Sequence, residues 1–372
     1  MSTFKQKLCK CKCNRFTNVH LRIIISLVIQ MNDKASIQQI ADALGLSRNT
    51  VSKVINNKPV PDNTRERVIN KAIELGYKGF NQVKHVEVRK LKLLLLAGKP
   101  LSNLDFFISL VRGVENLVTN LNIDFFQYTI NSNTSFEQLH NYMTNLNIDG
   151  VIGIELYDDD FLKKILSLKI PVTFIDAAYG LKDYEGNFDA ILMESRDPIY
   201  KISKAFIQSG LNRIIYCGDH LHCQGFYERF LGLRDAIADI PHRMDLSQQL
   251  ILPDDSPFGD SSWLAKKINA LQMIPQAIVC ANDFIAINVC QAIKKIGLRI
   301  PEDIQVVGFD NVVDSNFYNP SITTVNVDKE LLGQEALYML LDRINRPKTP
   351  TRMIYFKTQL IVRNSTRVRI SK

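Results

Sequence analysis

The chain has 372 residues, of which 46% are hydrophobic and 23% charged, and a formal net charge of +8. That composition can bury a core large enough for two or three domains, and it excludes an intrinsically disordered chain. No run approaches the roughly 18 apolar residues of a membrane span, so no membrane partner is expected. Seven cysteines without paired spacing exclude a disulfide framework and fit a reducing cytoplasm.

The positive charge sits at one end. Up to Lys90 there are 17 Lys and Arg against 6 Asp and Glu, whereas the remaining 282 residues carry 29 against 32. A basic head on a near-neutral body is the electrostatic footprint of a small DNA-binding domain joined to something else. At the start of the head, Lys5, Lys7, Lys10, Lys12 and Arg15 precede the apolar run Ile23 to Ile29, which superficially resembles a secretory leader. The run is short and no small-residue cleavage site follows. Met31 stands just before the first strong motif, so residues 1–30 read as a basic extension, disordered or a start-site artefact. The alternation Cys9-Lys-Cys11-Lys-Cys13 lacks paired metal-ligand spacing, and neither a metal nor a cofactor is expected.

Residues 31–77 read as a helix-turn-helix domain. Ser36 caps a first helix with Gln39 at the capping-box position, and Ile37, Ile40, Ala41 and Leu44 form one apolar face. Gly45 gives the permissive backbone of a tight turn, and Leu46 continues the core. Ser47 then caps a second helix, Arg48 to Asn56, whose Val51, Val54 and Ile55 face inward. Arg48, Asn49, Ser52, Lys53 and Asn56 are left outward. Those residue types hydrogen-bond base edges and phosphates. The candidate DNA-binding set is Ser36, Arg48, Asn49, Thr50, Ser52, Lys53 and Asn56. A polar stretch, 78–90, reads as a hinge or linker.

From 91 to 372, short apolar runs alternate with longer amphipathic segments. Strands are predicted at Leu91–Ala97, Ile123–Ile130, Gly150–Glu155 and Val172–Asp176, with helices at Phe106–Asn120, Phe136–Asn147 and Asp159–Leu168. A second series is expected to begin near Ile191. It runs through helix Asp197–Ser209, strand Arg213–Cys217, helix Phe226–Ala238, strand Leu250–Leu252 and helix Ser262–Ala270. Strand Ala277–Cys280, helix Asp283–Lys295, strand Gln305–Phe309 and a late helix Lys329–Ile344 complete it. Two βα series imply an α/β body of two parallel-sheet subdomains with a ligand cleft between them, behind a small all-α head. In such sheets ligands bind beyond the carboxyl ends of the strands. Asp176 and Asp310 are therefore candidates for ligand contact. Asn282 and Asp283 stand at another strand end, where a helix cap is an equally good reading for Asp283.

The chain resembles the LacI/GalR family of bacterial transcription regulators over Ser36 to Thr366. The likeness rests on IADALGLSRNTVSKVIN, TRERVINKAIELGY, Arg229-x-x-Gly232, AIVCANDFIAI, GLRIPEDIQVVGFDN, Pro320-Ser-Ile-Thr-Thr and TQLIVRNST, in that order and spacing. The resemblance implies a dimeric or tetrameric regulator whose body is similar to periplasmic sugar-binding proteins, with three crossings between subdomains. It places Arg48, Asn49, Ser52, Lys53 and Asn56 in the major groove, and Asp176, Arg229, Asn282 and Asp310 against the effector. Lys53 replaces the usual arginine, a point charge instead of a bidentate fork. Val86 replaces the hinge leucine that wedges into the minor groove, and the hinge proline is absent; the shorter, β-branched valine implies weaker kinking. Arg229 also has a plain structural reading, a helix-surface ion pair, and Trp263 reads as packing.

The expected function is a cytoplasmic, homodimeric repressor of a carbohydrate-utilisation operon. Its partners would be a near-palindromic double-stranded operator and a small-molecule effector, a sugar or sugar phosphate. Alternatives are a regulator answering to a nucleoside or purine, and a solute-binding protein of similar fold, against which the helix-turn-helix argues. No P-loop, G-x-S-x-G or supported Ser/His/Asp arrangement indicates an enzyme.

Overall fold

The computed structural model describes residues 36–56, 58–77, 89–98, 104–119, 121–130, 134–238, 249–253 and 256–368. The extension 1–30, most of the 78–90 linker and Val86 lie outside the described residues. The chain divides into two units, Met1–Arg89 and Lys90–Lys372.

In the first unit, Ser36 starts helix α1 (Ile37–Leu44) with a complete capping box: its Oγ accepts from the Gln39 amide, and Gln39 Oε1 accepts from the Ser36 amide at 2.7 Å. Gly45 closes α1 at φ 64°, a left-handed turn that a side chain would strain. Ser47 caps α2 (Arg48–Ile55), and α3 (Asp62–Glu74) closes the bundle. Ile40, Ala41, Val51, Val54, Val68, Ile69 and Ala72 are buried together, with Ile37, Leu44 and Leu46 packed at the edge. The apolar spacing of both helices thus becomes one small core.

In the second unit, β1 (Leu91–Ala97) shows why the first sheet is covered on both faces. Leu93 and Leu95 enter one buried cluster and Leu94 and Leu96 another, as the two-residue period of a strand demands. The elements that follow are α4 (Leu104–Val118), β2 (Ile123–Thr129), α5 (Phe136–Leu146), β3 (Gly150–Ile154), α6 (Asp159–Ser167), β4 (Val172–Ile175) and β5 (Phe188–Met193). Next come α7 (Arg196–Gln208), β6 (Ile214–Gly218), α8 (Gln224–Ile237), β7 (Leu250–Ile251), α9 (Ser261–Asn269), β8 (Ala277–Cys280), α10 (Asp283–Lys295) and β9 (Gln305–Val307). The chain closes with α11 (Val313–Phe317), β10 (Thr324–Asn326), α12 (Lys329–Asn345), β11 (Met353–Phe356) and β12 (Gln359–Ile361).

The first sheet has the order β11-β5-β4-β3-β1-β2 and the second β7-β6-β8-β9, all neighbours parallel. β10 and β12 pair antiparallel, and β10 bridges to the end of β9. The fold is therefore a helical head followed by an α/β body of two parallel sheets. One expectation is corrected: the strand around Ile191 does not open the second series. Phe188–Met193 is buried along its whole length and registers with β4, so it belongs to the first sheet, and the second series starts after it. The chain then passes between sheets three times, after β5, after β10 and after β11.

The second and third passages are fixed by packing and by charge. Helix α12 returns to lie on α4, β4 and β5. Reciprocal glycines let it approach α4 closely, since a Cβ on Gly333 would sit 2.2 Å from the Leu110 carbonyl oxygen, and one on Gly113 2.1 Å from that of Glu330. Strand β11 is pinned beside β5 through Asp189, which is completely buried. Asp189 accepts from the Arg352 backbone amide at 2.8 Å and from Arg352 Nη2 at 2.7 Å. It also accepts from Arg343 Nε at 3.1 Å and pairs with Arg343 Nη2. Burial pushes its carboxyl pKa up, but the two arginines outweigh that and hold it below the usual range.

Candidate functional site

Two surfaces carry the candidate residues, one in each unit. On the head, positions 48, 52 and 56 and positions 49 and 53 follow the four-residue helical repeat, so the polar residues of α2 share one face. Their side chains are not equally available. The Thr50 hydroxyl lies 2.8 Å from Ser47 Oγ. Asn56 turns back on its own helix, its Nδ2 donating to the Ser52 carbonyl at 2.8 Å and to Ser52 Oγ at 3.2 Å. Ser36 is engaged in its capping box. Arg48, Asn49 and Lys53 are exposed, without acidic neighbours on the helix, and present donors to the outside. Five outward candidates thus separate into three outward-reaching groups and a supporting pair.

In the body, the strand ends converge as the parallel topology requires. Asp176 follows β4 directly and Asp310 comes three residues after β9. Both sit at positive φ, 57° and 98°, as does Glu155 after β3 at 53°. Three acids in sparsely populated backbone conformations at strand ends are strain of the kind that clusters at binding sites. Arg229 arrives from α8 with its side chain 1% exposed, which corrects the reading of a helix-surface ion pair. Its Nη1 donates to the Ala281 carbonyl at 2.6 Å, its Nη2 lies 3.7 Å from Asp310 Oδ1, and its guanidinium stacks 3.6 Å from the Phe309 ring centre. Its Nε is buried, with no hydrogen-bond partner among the described residues.

Asp176, from the first sheet, meets that arginine at Gly225. A Cβ on Gly225 would lie 3.4 Å from Arg229 Nη2 and 3.6 Å from each Asp176 oxygen, so the arginine and the carboxylate flank this glycine at van der Waals distance. Tyr157 Oη donates to Asp176 Oδ2 at 3.3 Å, and burial with the nearby carboxylate raises its pKa well above the usual phenol. His222 packs against both Tyr157 and Phe226. Glu228 Oε1 accepts from Tyr355 Oη at 2.8 Å and from Gln224 Nε2 at 2.9 Å, joining α8 to β11. Asn282 is used differently: its Oδ1 caps α10 by accepting from the Ile285 amide at 3.0 Å. Asp283, completely buried, accepts from the Val312 amide and from Thr324 Oγ1, tying α10 to β10 and the loop before α11.

Tyr157, Glu228, Phe226 and Phe309 were not singled out from sequence. The strand-end rule that marks Asp176 reaches Glu155 and Tyr157 if carried three residues past β3, and Glu228 adjoins Arg229. Trp263 packs edge-on against Phe258. Among the described residues, no group of His, Cys, Asp or Glu could hold a metal ion, and no helix is long and apolar enough to cross a membrane. Cys217, Cys223, Cys280 and Cys290 are buried thiols.

Desolvation raises the Asp283 pKa to about 7, opposed by the hydrogen bond from Thr324 and reinforced by Asp310. An acid whose folded pKa lies above its unfolded value stabilises fully below the unfolded pKa and loses that contribution as pH rises towards the folded one. Between pH 4 and 7 this loss has a limiting slope of about 1.4 kcal/mol per pH unit. Asp283→Asn should flatten the melting temperature across that window, and an equally steep fall in the variant would place the titration elsewhere.

Comparison with known proteins agrees with this architecture. Residues 36–79 match the family described as bacterial regulatory proteins, lacI family, and residues 204–366 match a periplasmic binding protein-like domain. The HTH-type transcriptional repressor PurR of Vibrio parahaemolyticus is 25% identical over 340 residues, covering 90% of this chain and 99% of that protein. The transcriptional regulator CelR in complex with cellobiose superposes with a TM-score of 0.65 at 25% identity, covering 89% of this chain and 99% of that one. The lac repressor dimer bound to operator and the anti-inducer ONPF gives a TM-score of 0.60 at 22% identity, over 90% and 99% of the two chains. A capped helix-turn-helix, two parallel sheets joined by three passages and full-length relatives that are repressors lead to one assignment. The chain joins a DNA-binding head of the lacI family of bacterial regulatory proteins to a periplasmic binding protein-like body, as do full-length relatives that are LacI- and PurR-type transcriptional repressors.

Proposed function

We propose that this repressor is a cytoplasmic homodimer that controls carbohydrate-utilisation genes through a sugar effector bound between the two lobes of its body. The observation that carries the reading is the approach of Asp176, from the first sheet, to Gly225 beside Arg229, which pairs with Asp310 from the second. A guanidinium flanked by carboxylates offers donors and acceptors at the spacing of neighbouring hydroxyls, and the unpaired Nε of Arg229 is a donor in want of an acceptor. Because the groups come from both lobes, a ligand there favours one lobe arrangement over another, and it shifts the equilibrium by that difference in affinity. Paired heads then match or miss two half-sites of a near-palindromic operator. Arg48, Asn49 and Lys53 carry base and phosphate contact, with Ser36, Thr50, Ser52, Asn56 and Val86 in supporting contact. The relative solved with cellobiose supports the sugar reading.

A purine or nucleoside effector is the second reading, favoured by the aromatic cluster Tyr157, His222 and Phe226, against which a flat base could stack. One experiment addresses both. Calorimetry against sugars, nucleosides and purines identifies the class, and Arg229→Ala should weaken the responding ligand about tenfold to a hundredfold, since hydrogen bonds to charged groups contribute about 1.5–3 kcal/mol. Operator affinity without ligand should stay within a factor of about two, and ligand should no longer change it. Unchanged effector affinity and unchanged regulation would remove Arg229 from the site.

A further inference from the structure

Residues 222–228, at the start of α8, bridge the second lobe to the first apart from the three chain passages. The segment is fixed to its own lobe. Tyr216 Oη, on β6, donates to the Phe226 carbonyl at 3.2 Å, and Arg229 Nη1 donates to the Ala281 carbonyl. Towards the first lobe it meets the ends of three strands. His222 lies edge-on to Tyr157 after β3, with ring centres 4.6 Å apart, and Tyr227 faces Tyr179 after β4 at 4.8 Å. The Gln224 amide donates to the Ala177 carbonyl after β4 at 2.9 Å. On β11, Tyr355 Oη donates to Glu228 Oε1 at 2.8 Å.

The last two bonds are joined through one side chain. Gln224 Nε2 donates to Glu228 Oε1 at 2.9 Å, one helical turn on, so Ala177, Gln224, Glu228 and Tyr355 form a continuous run of hydrogen bonds. Its two ends belong to the first lobe and its middle to α8. The first amides of a helix have no acceptor within it, and the Gln224 amide finds its acceptor on the opposite lobe. The Tyr355 hydroxyl donates to a carboxylate, the stronger class of hydrogen bond, and its strand is held in register with β5, Tyr355 beside Leu192. Burial pushes the Glu228 pKa up, and the bonds from Gln224 and Tyr355 oppose that by favouring the charged form. Separating the lobes would return both bonds across the interface to water.

We infer that this run of hydrogen bonds is an interlobe tie, in which Gln224, Glu228 and Tyr355 stabilise one arrangement of the two lobes. A body with two arrangements responds to any bond made in only one of them. The tie acts on that balance from a surface that does not carry the DNA-binding helix. Its effect on operator binding rests on the lobe-to-head coupling proposed above.

The test uses the full chain without effector and two readouts: hydrogen exchange at single amides, and titration with a duplex selected by the wild type from a random pool. The Gln224 amide exchanges only when its bond to Ala177 opens. Tyr355→Phe should speed that exchange about threefold to tenfold, the effect of a charged hydrogen bond at a half-exposed site. Exchange at Leu233, further along the same helix, should stay within a factor of about two. Glu228→Ala should speed Gln224 at least as much, and the double variant no more than Glu228→Ala alone, because both remove the same bond. Operator affinity should shift by at least about threefold, in the same direction for both single variants. Unchanged Gln224 exchange in Tyr355→Phe, equal acceleration at Leu233, or a double variant that multiplies the two single effects overturns the tie. Faster exchange at Gln224 alone, with operator affinity within a factor of about two, upholds the tie and overturns the coupling of lobes to heads.

Discussion

Replacing Asp189 with alanine will destabilise the body by about 3–5 kcal/mol, because it leaves the buried Arg343 guanidinium without its counter-charge. At about 2–4 °C per kcal/mol for a unit of this size, the melting temperature falls by on the order of 10 °C. The same loss removes the Asp189 contacts of the Arg352 backbone amide and guanidinium, leaving that guanidinium its pair with Asp342 and weakening the hold of β11 on β5. Replacing Asp189 and Arg343 together by leucine and methionine should cost much less, since no buried charge is then stranded. The depressed Asp189 pKa fixes the pH sense. Its contribution is present above the ordinary carboxylate range and is lost as pH falls through the folded pKa, so the gap between wild type and Asp189→Ala should narrow in acid. A gap independent of pH, or a double variant as weak as the single one, would mean that the ion pairs are not what holds this strand.

Such a network could not be read from the sequence, and it shows where legibility stops. The head was almost fully legible. Ser36, Gln39, Gly45 and Ser47 act through backbone rules that span three or four residues, and the apolar spacing names its own core. The alternation of strands and helices was legible for the same reason. Which sheet a buried run joins is a different question, because Phe188–Met193 is equally apolar on either side of the passage. Strands β10, β11 and β12 are three or four residues long, and β11 and β12 are only partly buried, so they carry little periodic signal. In the cleft, Asp176 and Asp310 were marked by topology. The Tyr355–Glu228 bond joins residues 127 positions apart, and no local pattern announces it.

On the head, Asn49→Ala in the full chain will weaken binding to the cognate operator by about 1–3 kcal/mol and relax base preference at one position of each half-site. Asn49 is exposed on α2 beside Arg48 and Lys53, and an amide can pair two-fold with one base edge. Lys53→Ala should instead weaken all duplexes alike and reduce the dependence on salt by about one counterion per head. If Asn49→Ala lowers specific and non-specific binding equally, its role is phosphate contact instead of base reading.

We propose that α2 of a paired head reads operator sequence. The most direct measurement is selection from a pool of random duplexes, carried out in parallel with the full wild-type chain and with Asn49→Ala. The wild type should select a near-palindromic site of two half-sites, and the variant a motif that keeps the spacing but loses preference at the base Asn49 contacts. The same motif from both proteins, or a wild-type site without two related halves, would contradict it.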